Sequence, residues 1–307
     1  MKTALGFLAL AAVVAAVLFG VDYYRHRFVR TNSGLVRLLP PGDLTTFFID
    51  FDTLRRAGLL NLLAGVKPAD EKQYEEFVSQ TQFHYLNDLD ALAGASDGEQ
   101  LFFVIRGRFD WNKLKQYALA HGGVCLHDYC TAPTSKPGRW ANFLPIQSDV
   151  IGLAVSPNGT AADLLRPPGR RVQEQPPGNT LNNSVNNPVW VKPSQKLMKT
   201  PADVPLAVRI FAITLQAAES VTLSLGSASG GIAVQLDAGF PNEPTAEAAR
   251  NQMEIQTKML KLQLAHEQQQ PNPADLTGLL TSGTFQVVHQ RVIGVWPVRR
   301  ELLRALQ

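Results

Sequence analysis

The chain has 307 residues, a formal net charge of +3, 45% apolar residues and two cysteines. That apolar content excludes a wholly disordered chain and is enough for one large core or two ordinary ones. Lys2, Arg25, Arg27, Arg30 and Asp22 lie in the first thirty residues and leave 25 charges of each sign in the rest, so a nucleic-acid partner is not expected.

Thr3 to Val21 carry no charge. As a helix this run spans roughly 28 Å, close to the ~30 Å hydrocarbon core of a bilayer. A cleavable signal peptide has a shorter apolar core, and no Ala-x-Ala site closes this one. Residues 1–30 are therefore expected to form a transmembrane helix and basic flank, with the membrane as a partner through residues 3–21. The following domain is expected outside the cytoplasmic membrane, periplasmic or extracellular, because large domains translocate largely regardless of charge.

Strand and helix signals then recur. Leu44 to Phe51 reads as a strand, with Asp52 capping a helix over Leu54 to Leu63. Leu86 to Ala93 reads as helical. Gln100 to Arg106 reads as a strand, and Asp110 caps Trp111 to Ala120. Val150 to Val155 leads into a capping-box variant at Thr160 to Asp163. Ser220 to Gly226 and Gly231 to Phe240 alternate polar and apolar residues as a hairpin. Glu243 to Gln268 is a long helix whose Ala249, Met253, Leu260 and Leu264 form one stripe. Phe285 to Trp296 reads as a strand that meets Pro297 at the first position of a helix over Arg299 to Leu306.

The segment from Pro167 to Pro188 holds five prolines among polar residues and reads as a linker or long loop. It divides residues 31–166 from residues 189–307. The expected fold class is α+β: an N-terminal transmembrane helix, then antiparallel sheets with helices on one face, as two ferredoxin-like repeats. One sheet continuous through both halves is the alternative.

The anchor, Leu38-Leu39-Pro40-Pro41 opening a strand, Ile49-Asp50-Phe51-Asp52 entering a helix, and Gly107-Arg108-Phe109-Asp110 after a core strand together resemble a group of uncharacterised bacterial exported or membrane-anchored proteins. The resemblance spans most of the chain and rests on caps and turns. It implies a bacterial envelope protein and carries no activity with it.

No residue pattern compels a catalytic assignment or a cofactor. Gly94-Ala95-Ser96-Asp97-Gly98 matches the nucleophile-elbow pattern, which needs a strand before the serine and a helix after it. The predicted order is the reverse, even with Asp128 and His289 available for a triad. Cys125, His127 and Cys130 are zinc-ligand types, but their spacing demands a tight turn, and so does a disulfide between Cys125 and Cys130. Free thiols, a disulfide and a metal site all stay open. Asp50 with Asp52, and Asp88 with Asp90, suit general acid and base work but equally suit caps and turns. His84, His266 and His289 stand alone.

The functional expectation is a membrane-tethered extracytoplasmic protein-interaction or scaffold module, with the long helix as a partner-binding element. An envelope hydrolase using the carboxylates or Ser96, and a module binding a lipid or small apolar ligand between sheet and helices, are the alternatives.

Overall fold

The computed structural model describes residues 31–60, 71–167, 187–200, 206–228 and 231–305. Helix α1 (Asn32–Arg37) precedes β1 (Thr45–Asp50) and α2 (Phe51–Arg56). Next come α3 (Glu71–Thr81), α4 (Tyr85–Asp88), the hairpin β2 (Leu89–Ser96) and β3 (Leu101–Gly107), and α5 (Trp111–Ala120). A meander follows: β4 (Val124–Leu126), β5 (Tyr129–Pro133), β6 (Trp140–Gln147) and β7 (Val150–Ser156), closed by a 3₁₀ turn at Ala161–Leu165. The second half contains β8 (Val189–Lys192), α6 (Gln195–Lys199), α7 (Leu206–Thr214), β9 (Ser220–Ala228), β10 (Gly231–Gly239), α8 (Glu243–His266), α9 (Leu276–Thr281), β11 (Thr284–Val288), β12 (Arg291–Val298) and α10 (Arg300–Ala305).

All twelve strands join one sheet in the order β11-β12-β10-β9-β8-β1-β2-β3-β7-β6-β5-β4, and every neighbouring pair is antiparallel. This overturns the expected pair of ferredoxin-like repeats. The physical reason is β8: it pairs β1 on one side and β9 on the other, so the backbone ladder passes from one half to the other without an edge. The expected transmembrane helix is also not among the helices seen. Among the described residues none is long and apolar enough to cross a membrane, and residues 3–21 lie outside them.

The two halves bury opposite faces of this sheet. Side chains directly across from one another in a ladder share a face. Ala93, Phe48 and Trp190 align across β2, β1 and β8, and the row continues into Ser224 of β9 and Gln235 of β10. The first three belong to a core with Val104, Leu144 and Ala154, capped by Leu35 of α1 and by Ala161, Ala162 and Leu165 of the 3₁₀ turn. In the second half the same face turns polar: Asn187 donates to Ser224 Oγ and Gln235 Oε1, and Arg291 Nε donates to Asp237 Oδ1 at 2.7 Å. The alternate row, Val191, Leu223 and Leu236, lies on the other face. There Val221, Leu236, Ala238, Val292 and Trp296 form a second core under Phe211 of α7, Ala246, Ala249 and Met253 of α8, and Leu280 of α9.

Helices therefore do not segregate to one face, as the sequence reading had them. Strand composition explains the difference. β9 and β10 alternate apolar with polar residues and need cover on one side only, whereas β3 is apolar without a break from Leu101 to Ile105 and needs it on both. In the first half α5 supplies part of that second cover, with Trp111 edge-on to Phe143 at 5.7 Å.

Local boundaries shift for identifiable reasons. Asp50, not Asp52, caps α2, its Oδ1 accepting from the Thr53 amide at 2.8 Å. The helix expected over Leu86 to Ala93 stops at Asp88, because Leu89 to Ser96 pairs with strands on both sides. Phe285 to Trp296 folds into a hairpin at His289, whose φ of 56° supplies the left-handed turn, and Pro297 sits inside β12 opposite Ala233. Asp110 caps α5 as expected, and Asn242 caps α8.

Candidate interaction surface

The residues singled out from the sequence do not converge. Ser96 ends β2, and its Oγ accepts from the Gly98 amide at 3.0 Å; a strand, not a helix, follows. Asp128 lies in the β4–β5 turn and His289 in the β11–β12 turn, at opposite ends of the sheet. Eight strands lie between the two hairpins in the ladder. No triad forms from these three.

Each acid has a structural partner. Asp50 also accepts from Asn32 Nδ2 at 2.9 Å, Asp52 pairs with Arg56 at 2.9 Å, and Asp90 lies 3.7 Å from Arg55. Asp88 accepts from the His84 amide at 2.8 Å and from Arg108 at 2.9 Å. Partial burial pushes its carboxyl up, and those hydrogen bonds with the adjacent guanidinium more than offset it, holding the group below the ordinary carboxylate value. Asp97 is held low by the amides of Gln100 and Glu99 in the β2–β3 turn. His84 precedes α4 with no cap hydrogen bond to its side chain, and His266 is exposed in the last turn of α8.

The cysteines are joined. Cys125 and Cys130 face one another across β4 and β5, bonded at 2.03 Å, and a two-residue turn through His127, with φ 55°, closes the hairpin. Each sulfur is consumed by the other, so neither is available as a thiolate ligand. Cys130 is buried, and Lys115 of α5 donates to the His127 carbonyl at 3.1 Å, tying the hairpin to the helix.

The surface that stands out is carried by α8. Asn242 accepts from the Thr245 amide at 2.9 Å, Pro244 lies in the first turn, and 24 helical residues follow. Ala246, Ala249, Met253, Thr257 and Leu264 are buried on the sheet side, with Leu260 partly buried beside them. At 100° per residue, Ile255, Met259 and Leu262 fall on the side turned away from that core. They are 51, 63 and 61% exposed. Beside them α7 presents Ile213 and Ile210, both exposed, while its Phe211 enters the core. Gln256 of α8 joins the two helices, its Nε2 donating to Thr214 Oγ1 at 2.8 Å and to the Ile210 carbonyl at 3.1 Å. Five exposed apolar residues thus lie on two adjoining helices.

The sequence reading placed partner binding on this helix without assigning it to a face. It missed Ile255, Met259 and Leu262. Their signal is a second apolar stripe, spaced by 4 and 3, opposite the core stripe.

No protein-family model matches the chain, and no curated protein matches it either. Among solved structures, two titled as crystal forms of TP0453 are similar. Form III has a TM-score of 0.46 at 10% identity, covering 89% of this chain and 98% of that chain. Form I has a TM-score of 0.44 at 9% identity, covering 89% and 95%. Likeness at this level says nothing about function.

Proposed function

We propose that the chain is an extracytoplasmic protein-interaction module that engages a partner through the outward face of α7 and α8. The observation that carries the reading is the exposure of Ile255, Met259 and Leu262 directly opposite a well-filled core stripe on the same helix. Exposed apolar side chains on a helix that is already anchored contribute nothing to its own packing, and binding energy is gained when another surface covers them. The Cys125–Cys130 bond supports the placement outside the cytoplasm, because disulfides persist in oxidising compartments and are rare in reducing ones.

The test is a photo-cross-linking residue at position 259, with position 286 on the polar sheet face as the control. Expected are discrete cross-linked protein species from position 259 in intact cells and none from position 286. Absence of any protein adduct at 259, 255 and 262 would remove the reading. Cytoplasmic retention of a reporter fused after residue 35 would remove the localisation.

A further inference from the structure

We infer that the partner of this face is a second copy of the same chain, packed with its α8 antiparallel to the first. The inference rests on the interaction reading above and names its occupant. Two features of α8 point to it.

The first is spacing. Ala248, Gln252, Ile255, Met259, Leu262 and His266 follow one another by 4, 3, 4, 3 and 4, the interval of the seam along which two helices pack knobs into holes. Its apolar centre is Ile255, Met259 and Leu262, flanked by the polar Gln252 and His266.

The second is charge. One rim of the seam carries Glu247 and the Arg250–Glu254 ion pair, then Lys258 and Lys261, so its first half is net acidic and its second half basic; the other rim carries Gln256 and Gln263 and is neutral. Two copies packed in parallel would set this charged rim against the neutral rim of the other copy and gain no ion pair there. Packed antiparallel about a two-fold axis near the seam centre, Glu254 of each copy approaches the lysines of the other. A rim that is acidic at one end and basic at the other complements itself when reversed. An anionic lipid surface would attract the lysines but repel Glu254, which a second copy does not. On the neutral rim, Ile210 and Ile213 of α7 extend the apolar area, and no like charge from α8 opposes contact there.

The experiment uses the purified full-length chain. Sedimentation should give a concentration-dependent dimer. Met259→Asp should raise the dissociation constant at least tenfold without changing the thermal unfolding of the monomer, since Met259 is outside the core. Glu254→Lys should weaken association several-fold, and Glu254→Lys with Lys261→Glu should recover most of the loss. Mixed Ile255→Cys and Leu262→Cys copies should cross-link to each other more readily than Ile255→Cys copies link among themselves; the reverse preference overturns the antiparallel arrangement. A chain that stays monomeric, or a dimer indifferent to Met259→Asp, overturns the inference. If the chain is monomeric yet position 259 captures a different protein in cells, the second copy is excluded and the interaction reading stands.

Discussion

Met253 and Met259 sit six residues apart on one helix in opposite environments: Met253 is 0% exposed beneath α8, and Met259 is 63% exposed above it. The same side chain thus reports on two different properties of the protein. Met253→Ala removes a filled part of the second core and should destabilise the fold by about 2–5 kcal/mol. Met259→Ala should change stability by no more than about 0.5 kcal/mol. Chemical denaturation midpoints of the two variants check this, and equal losses would mean that the two faces of α8 are misassigned.

Gly94 lies beneath the ring of Phe47. A Cβ at position 94 would come 2.2 Å from Phe47 Cζ, and Phe47 in turn stands edge-on to Phe103 at 6.1 Å. Gly94→Val should therefore cost about 1–3 kcal/mol by overpacking. Adding Phe47→Ala vacates the space, so the double variant should lose less than the two single losses added together. Strict additivity in denaturant titrations would show that the ring does not rest on this glycine.

Asp88 gives the acid limb of stability a defined sign. Its folded carboxyl is held below the ordinary 3.8 by the His84 amide and Arg108, against the opposing effect of burial. A group depressed on folding stabilises the protein above its unfolded pKa and loses that contribution as the pH falls through the folded value. Wild type should accordingly exceed Asp88→Asn in urea midpoint at neutral pH, and the gap should close below about pH 4. A gap that persists unchanged to lower pH would show that the carboxylate charge is not what matters.

The Cys125–Cys130 bond closes a very short loop on an edge hairpin, because among the described strands β4 pairs only with β5. Closing a loop that small contributes about 2 kcal/mol in the chain-entropy description. Reduction should therefore open the hairpin locally and leave the sheet standing. Amide exchange should accelerate at residues 124–131 and stay unchanged in β2 and β3; loss of protection in β2 and β3 would make the bond a global staple instead.

Capping chemistry was the most legible part of the fold. Asp110 announces α5 because a short polar side chain before an apolar run satisfies free amides locally, without help from the rest of the molecule. Leu89 to Ser96 was not legible. Its alanines favour a helix intrinsically, and only pairing with β1 and β3 makes it a strand. Nor does sequence reveal that Trp190 and Leu223 support different cores, because that depends on β8 fitting between strands from distant parts of the chain. The candidate surface lay within reach: Ile255, Met259 and Leu262 are visible on a helical projection once the stripe through Met253 is assigned to the core.

The four-residue β8 has a kinetic consequence. Every other ladder contact joins strands within the same half of the chain, and each half has its own core. The β1–β8 ladder instead brings Phe47 opposite Val191 and Phe48 opposite Trp190, across more than 140 residues of intervening sequence. Contacts that close long loops form slowly, since the chain loses its freedom before the contact stabilises it. Refolding should therefore proceed through two separately collapsed halves, with closure of this seam as the late step. Until then β1 and β8 each present an unpaired edge, and it is in that interval that the chain is most exposed to pairing with the wrong strand.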